Sequence, residues 1–463
     1  MRRTMALGAT LWILGCGGGN ESEPVGERSP AAAATAGFAE PAEAIEATRP
    51  TEATDASGAP STAGVAGRWR EIEGPASIPS ELAEQIEALE SLGYSSGQTE
   101  ARDQVGVTRW DPERSAPGWN LYTSGHGPEA ILMDMEGNEL HRWRRDYLEI
   151  WPGRKKNQVG QEYWRRARLL PDGDLVVLFE GQGIARLDVD SQVKWARHQR
   201  SHHDVTVLES GEIWVLERIA RMLPHVDPDR ATLEDLVTML RPDGTLIRTV
   251  SLLECLENSP DLDWRSLSAD FTASAASRLL NAKAGDIFHT NSILALNPDQ
   301  GPGPPGPNRA LFSFRHLDLV AVVDLEQRHA TWWVAGLTAA QHDAQRTWRG
   351  TVSAFDNLWA PGRSRVVEID PDTRDVVWEY GSGAQDEPFL SRECGSVRIL
   401  ENGNALVTET DQGRAFEVTR DGERVWEFTN PRRAGEGDRY VASIFGLARV
   451  PIESTASWLV LGD

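Results

Sequence analysis

The stretch GSVRILENGNALVTETDQGRAFEVTRDGERVWEF, residues 395–428, decides how this chain folds. Short runs of apolar or alternating residues, VRIL, ALVTE, AFEV and RVWEF, are separated by ENG, DQG and RDG. The glycines supply the positive φ that tight turns need, and the runs between them are β-branched or alternate. The stretch therefore reads as a four-stranded antiparallel meander.

The pattern recurs. RARLLPDGDLVVLFEGQGIARLDVDSQVKWA (166–196) and GTVSAFDNLWAPGRSRVVEIDPDTRDVVWEY (350–380) repeat it, each closing on a strand that carries tryptophan. One meander cannot bury both of its faces, so a series of them stacks radially as the blades of a propeller. Units beginning near Val105, Arg166, Ser201, Ile287, Ala340 and Gly395 predict an all-β, six-bladed β-propeller over residues 105–463, with seven blades as the alternative count. The C-terminal GLARVP…SWLVLGD is expected to lend an inner strand to the first unit, closing the ring and removing a long sheet edge. Trp143, Trp195, Trp378 and Trp426 are expected to pack between neighbouring sheets.

Upstream, MRRTMALGATLWILGCGGG has two arginines, a short apolar core and Ile13-Leu14-Gly15-Cys16. This is the pattern of a bacterial lipoprotein signal over residues 1–16, with Cys16 lipidated and the protein exported, facing periplasm or cell surface on a lipid anchor. Residues 17–79 are rich in Ala, Glu, Pro and Thr and read as a disordered tether. A short helical segment follows over 80–104, with Ser80 as N-cap and Leu82, Ile86, Leu89 and Leu92 on one side. The net charge of −23 argues against nucleic acid as a partner through any broad surface. Beyond Cys16 the cysteines are Cys255 and Cys394, expected to be unpaired.

In an antiparallel meander the start of the innermost strand and the end of the second strand share a rim. His203 in HHD, His289 and Asn291 in HTN and His342 in QHD lie at first-strand starts. Arg218 in IWVLER and Arg315 in LFSFR lie at second-strand ends, so all six should face one mouth of the central channel. His202 is a second candidate for the place of His203, because neighbouring strand residues point to opposite faces. Asp356 and Asn357 in FDN are expected to stabilise a turn, and Arg365 to pair with a carboxylate. The insert NPDQGPGPPGPN (297–308) is expected near the mouth. The excursion 252–284, with Trp264 and Phe271, lines an aromatic acceptor site or packs its own side chains.

HHD, DIFHTNS, LFSFRH, QHDA, FDN and SRVVEID, in this order, resemble the bacterial arylsulfate sulfotransferases, six-bladed propellers that work without the nucleotide sulfate donor PAPS. The resemblance runs from about Gly118 onward. It implies an aryl sulfate donor, a phenolic acceptor, no metal and no cofactor. It also implies a sulfated nucleophile at His342, supported by His203, His289, Asn291 and Arg315, and ping-pong transfer through sulfohistidine. The expected N-terminal β-sandwich of well-known members has no counterpart in the tether and helix read here. Two rival readings are a non-catalytic propeller that binds a ligand or protein, and a hydrolase with His203, His289 and His342 around a divalent metal.

Overall fold

The computed structural model describes residues 96–156, 159–269 and 285–459. The signal peptide with Cys16, the tether, the helix read around Ser80–Leu92 and Phe271 lie outside them. Of the segment 80–104, the described part, 96–104, is not helical: Ser96 and Thr99 carbonyls accept from Ser443 and Val441 N–H at 2.9 and 3.0 Å.

Six four-stranded meanders form the ring, and the propeller expected from the repeats is the fold. Blade one is built on Trp119–Ser124, Glu129–Met133 and Glu139–Arg144, with Ile444–Val450 as its innermost strand. The C-terminal closure expected from the sequence is thus present. Blades two to five are consecutive meanders whose innermost strands are Arg166–Leu169, Ser201–Val207, Thr290–Leu296 and His342–Arg346. Blade six, opened by Ser396–Ile399, carries a fifth strand, Gly106–Trp110, on its outer edge. Val105 therefore does not open blade one. Gly106–Trp110 pairs with Arg424–Thr429 and covers an edge that would otherwise stay open.

The tryptophans do more than fill space. Indole N–H groups of Trp143, Trp195, Trp378 and Trp426 each donate to a turn carbonyl of the next blade, on Gly173, Pro242, Arg420 and Met135, at 2.9 to 3.1 Å. Trp332 reaches Pro371 O at 2.8 Å in the same way. Blade three has no closing tryptophan, and there Arg248 pairs with Glu326 of blade four instead.

A second set of bonds links the inner strands. Asp204 accepts from Ile293 N, Ser292 Oγ from Ala344 N, and Asp343 from Val397 N, at 3.2, 3.0 and 3.0 Å. The third residue of HHD and of TNS, and the Asp of HDA, therefore tie blade three to four, four to five and five to six.

Two expectations about loops divide. Residues 297–308 join the end of blade four's first strand to the start of its second, so they lie on the rim opposite the histidines and not near the mouth. Arg309 gathers that loop by donating to the carbonyls of Pro298, Gln300, Pro302 and Gly306. Trp264, in the 252–284 excursion, is buried edge-on against Phe288, 5.1 Å between rings, and so packs the excursion against blade four. Cys255 and Cys394 are both free and buried.

Candidate functional site

At the start of three inner strands the ladder is broken by a bulge. Register shifts fall between Val215 and Glu217, opposite His202–Asp204; between Thr290 and Ser292, at Asn291; and between His342 and Gln345. His203, His289 and Asp343 take positive φ of 55°, 49° and 55°. Non-glycine residues rarely adopt this conformation, and at a bulge it re-aims the side chain. Each histidine motif is therefore a built departure from regular strand.

The bulge also settles the register left open between His202 and His203. His203 reaches His289, with 3.2 Å between their Nε2 atoms. His202 stands behind, its Nδ1 2.7 Å from His203 Nδ1 and its Nε2 3.6 Å from Asp235 Oδ1. His289 Nδ1 is 2.5 Å from Asp286 Oδ2. Glu180 accepts from His203 N–H at 2.9 Å and lies 3.8 Å from both Arg165 and Arg218.

His342 is 2 % exposed, and its Nδ1 faces two oxygens, Asn357 Oδ1 at 2.8 Å and Ala340 O at 3.2 Å. The Asn357 amide nitrogen donates to the carbonyls of Ser391 and Cys394, both at 2.8 Å, which turns its oxygen toward the ring. Neither partner of Nδ1 offers a proton, so Nδ1 carries the hydrogen and Nε2 the lone pair. That Nε2 is buried and has no hydrogen-bond partner among the described residues.

Burial, with Arg315, His289 and Arg165 behind it, pushes His342 well below the ordinary histidine pKa, although the Asn357 bond opposes this. His203 is lowered by burial, then His289, His202, Arg165 and Arg218; His202 by burial, then Arg218 and His289. His316 is lowered to about 3, mainly by burial. Burial works against Asp286 ionising, but His289 and His316 outweigh it and hold its carboxyl well below the usual range. Asp235 is raised to about 7 by burial and Asp286.

Arg315 opens a 3-10 turn after blade four's second strand, as its position predicts. Its Nε is buried with no hydrogen-bond partner among the described residues. Asn291 Nδ2 donates to Gln341 O at 2.8 Å, so the end of its amide left without a partner is the oxygen. Arg218 is not at a strand end: blade three's second strand continues to Met222, and Arg218 stands opposite Asp235 within the sheet. Arg365 pairs with Asp356 at 2.8 Å and Glu379 at 2.6 Å, as expected. Asp356 also accepts from Ala339 N–H, in keeping with a structural part. Asn357 departs from its expected turn role by fixing the ring of His342.

Sequence reading missed Arg165, Glu180, Asp235, Asp286 and Asn357. Arg165 immediately precedes an inner strand, as His289 does, and that placement is the signal that would have marked it.

Among the described residues, ligand atoms converge at Glu180–His202–His203 and at Asp286–His289–His316. His342 belongs to neither, so the trio His203, His289 and His342 is not gathered as one ligand set. Arg315 and Arg165 add positive charge beside His342, which suits an anion at that ring.

No curated protein matches the chain at a significant level. Solved structures give distant likenesses: a protein of unknown function from Bacteroides caccae is 10 % identical, with TM-score 0.47, covering 72 % of this chain and 99 % of its own. Virginiamycin B lyase from Staphylococcus aureus is 10 % identical, with TM-score 0.33, covering 58 % and 74 %. The family model described as arylsulfotransferase (ASST) matches residues 166–431, which holds the histidine motifs, Arg315 and Asn357. A match over more than half of the sequence, enclosing this site, establishes that the chain belongs to the arylsulfotransferase (ASST) family.

Proposed function

We propose that the protein moves a sulfuryl group from an aryl sulfate to a phenolic acceptor without a nucleotide donor, through a sulfohistidine at His342. The observation that carries this reading is the state of His342: a buried imidazole, its Nδ1 hydrogen held by two oxygens, and its Nε2 lone pair bare. Such a ring is neutral and oriented, as a nucleophile must be.

In the first displacement Nε2 attacks sulfur, the N–S bond forms and the S–O(aryl) bond breaks. Asn357 is neutral and cannot remove the Nδ1 proton, so the product is an imidazolium N-sulfonate that remains a good leaving group. Charge on the sulfuryl oxygens persists throughout, and Arg315 supplies a fork of donors that never loses its proton. The departing phenolate takes a proton from His203, beside His289. In the second displacement the acceptor oxygen attacks sulfur, the N–S bond breaks and the acceptor's proton returns by the same path.

Intact-protein mass spectrometry after incubation with a fluorogenic aryl sulfate and no acceptor tests the reading. One sulfuryl increment on the protein is expected, absent from His342→Ala and discharged by added phenol. No increment and no phenol release across several donors would shift the reading to a ligand-binding propeller.

A further inference from the structure

At the bulged strand starts the ring nitrogens form a continuous chain. Asp286 Oδ2 faces His289 Nδ1 at 2.5 Å, and His289 Nε2 faces His203 Nε2 at 3.2 Å. His203 Nδ1 faces His202 Nδ1 at 2.7 Å, with Glu180 Oε1 3.5 Å from His203 Nδ1, and His202 Nε2 faces Asp235 Oδ1 at 3.6 Å. If each ring carries a single proton, these contacts are satisfied in turn. His289 donates from Nδ1 to the Asp286 carboxylate, His203 from Nε2 to His289, and His202 from Nδ1 to His203. His202 Nε2 is then the acceptor end; it is buried with no hydrogen-bond partner among the described residues, and the Glu217 backbone carbonyl lies beside the ring.

From this geometry we infer that His202 and Asp235 form the inner end of a proton relay, with Asp235 as the group that holds the transferred proton between the two half-reactions. The inference rests on the sulfohistidine reading above. When the S–O(aryl) bond breaks, the phenolate takes the Nε2 proton of His203. His203 Nδ1 takes the Nδ1 proton of His202, and His202 Nε2 takes the carboxyl proton of Asp235. The sum is phenolate plus Asp235 carboxylic acid giving phenol plus Asp235 carboxylate, with each of the two rings changing tautomer. The acceptor half-reaction runs the chain backwards and restores the acid.

A two-step transfer needs such a store, because the donor half consumes a proton that the acceptor half returns, and the rings involved are shut from water: His202 and His203 are each 1 % exposed. Arg218, opposite Asp235 in the sheet, faces the carboxylate formed while the proton is away. Thr290 N–H, donating to Asp235 Oδ2 at 2.9 Å, holds it in place. The 3.6 Å step to His202 must shorten by ~0.5 Å for a proton to cross.

The groups facing Asp235 are His202 and Arg218 from blade three, Thr290 from blade four, and Asp286 just before it. Burial and Asp286 raise its pKa to about 7, and Arg218 opposes them. The working form is the acid. Transfer from donors with basic leaving groups therefore falls as pH rises through about 7, and transfer from 4-nitrophenyl sulfate, whose leaving group needs no proton, does not.

Pre-steady-state phenol release by the full chain tests the relay, with parent, Asp235→Asn and His202→Phe compared on phenyl sulfate and 4-nitrophenyl sulfate. Both variants should lose about a hundredfold or more on phenyl sulfate and little on 4-nitrophenyl sulfate, with the alkaline fall gone. Equal losses on both donors in correctly folded variants would reduce Asp235 and His202 to structural parts and overturn the relay. A proton inventory on the parent in mixed light and heavy water needs no variant. A curved plot with phenyl sulfate supports several protons in flight, and a linear plot overturns the relay. A parent that sulfates His342 but fails these tests leaves the sulfohistidine reading intact, whereas a parent that never sulfates His342 brings down both.

Discussion

At His342 two oxygens converge on one ring nitrogen, and the lone pair is thereby assigned to the other. Asn357 acts through this contact, so it is a positioning residue. Asn357→Ala leaves Ala340 O as the sole acceptor and frees the ring to turn. The sulfation rate of His342 should fall by about ten- to a hundredfold with little change in KM, measured by single-turnover phenol release. A proportional rise in KM would point to substrate binding instead. The histidines and Arg315 were legible because each sits at a strand start or end, where an antiparallel ladder fixes the rim. Asn357 was not, since FDN reads as a turn and its side-chain contact with His342 spans fifteen positions.

Among elements, the recurrent features are the bulged strand starts and the indole bonds between blades. The bulges explain why a simple alternation rule left His202 and His203 open: the extra residues break the period of two just where the motif lies. The closing tryptophans were expected to pack between sheets, and they also donate to turn carbonyls of the next blade. Trp143 is fully buried and donates to Gly173 O at 3.1 Å. Trp143→Phe removes that donor, and loss of the bond to a buried carbonyl should cost about 1–3 kcal/mol of stability. Urea unfolding should show the loss, while the specific activity of the folded fraction stays unchanged.

For the molecule as a whole, closure is a property of the last strand. Ile444–Val450 is the innermost strand of blade one, and Phe445 O accepts from Arg165 and Arg166 of blade two at 3.3 and 2.9 Å. A chain ending at residue 443 should yield no cooperatively folding monomer, as judged by thermal unfolding and size-exclusion chromatography. A chain beginning at Asp111 loses the outer strand of blade six and the bonds of Ser96 and Thr99 to Ser443 and Val441, and should remain folded with a lower Tm. The opposite ranking of these two truncations would mean that the outer strand, not the inner one, closes the ring.

Local turn chemistry and strand period, written into each unit, were enough to specify the meander, its repetition, the closing strand and the rim on which the histidines gather, because these depend on near neighbours in the chain. The tautomer of His342, the choice between His202 and His203, and the chain of rings leading to Asp235 depend on side chains from different blades meeting at the axis. The strands that bring them there follow local rules, whereas the distances between those side chains exist only once six blades close on one another.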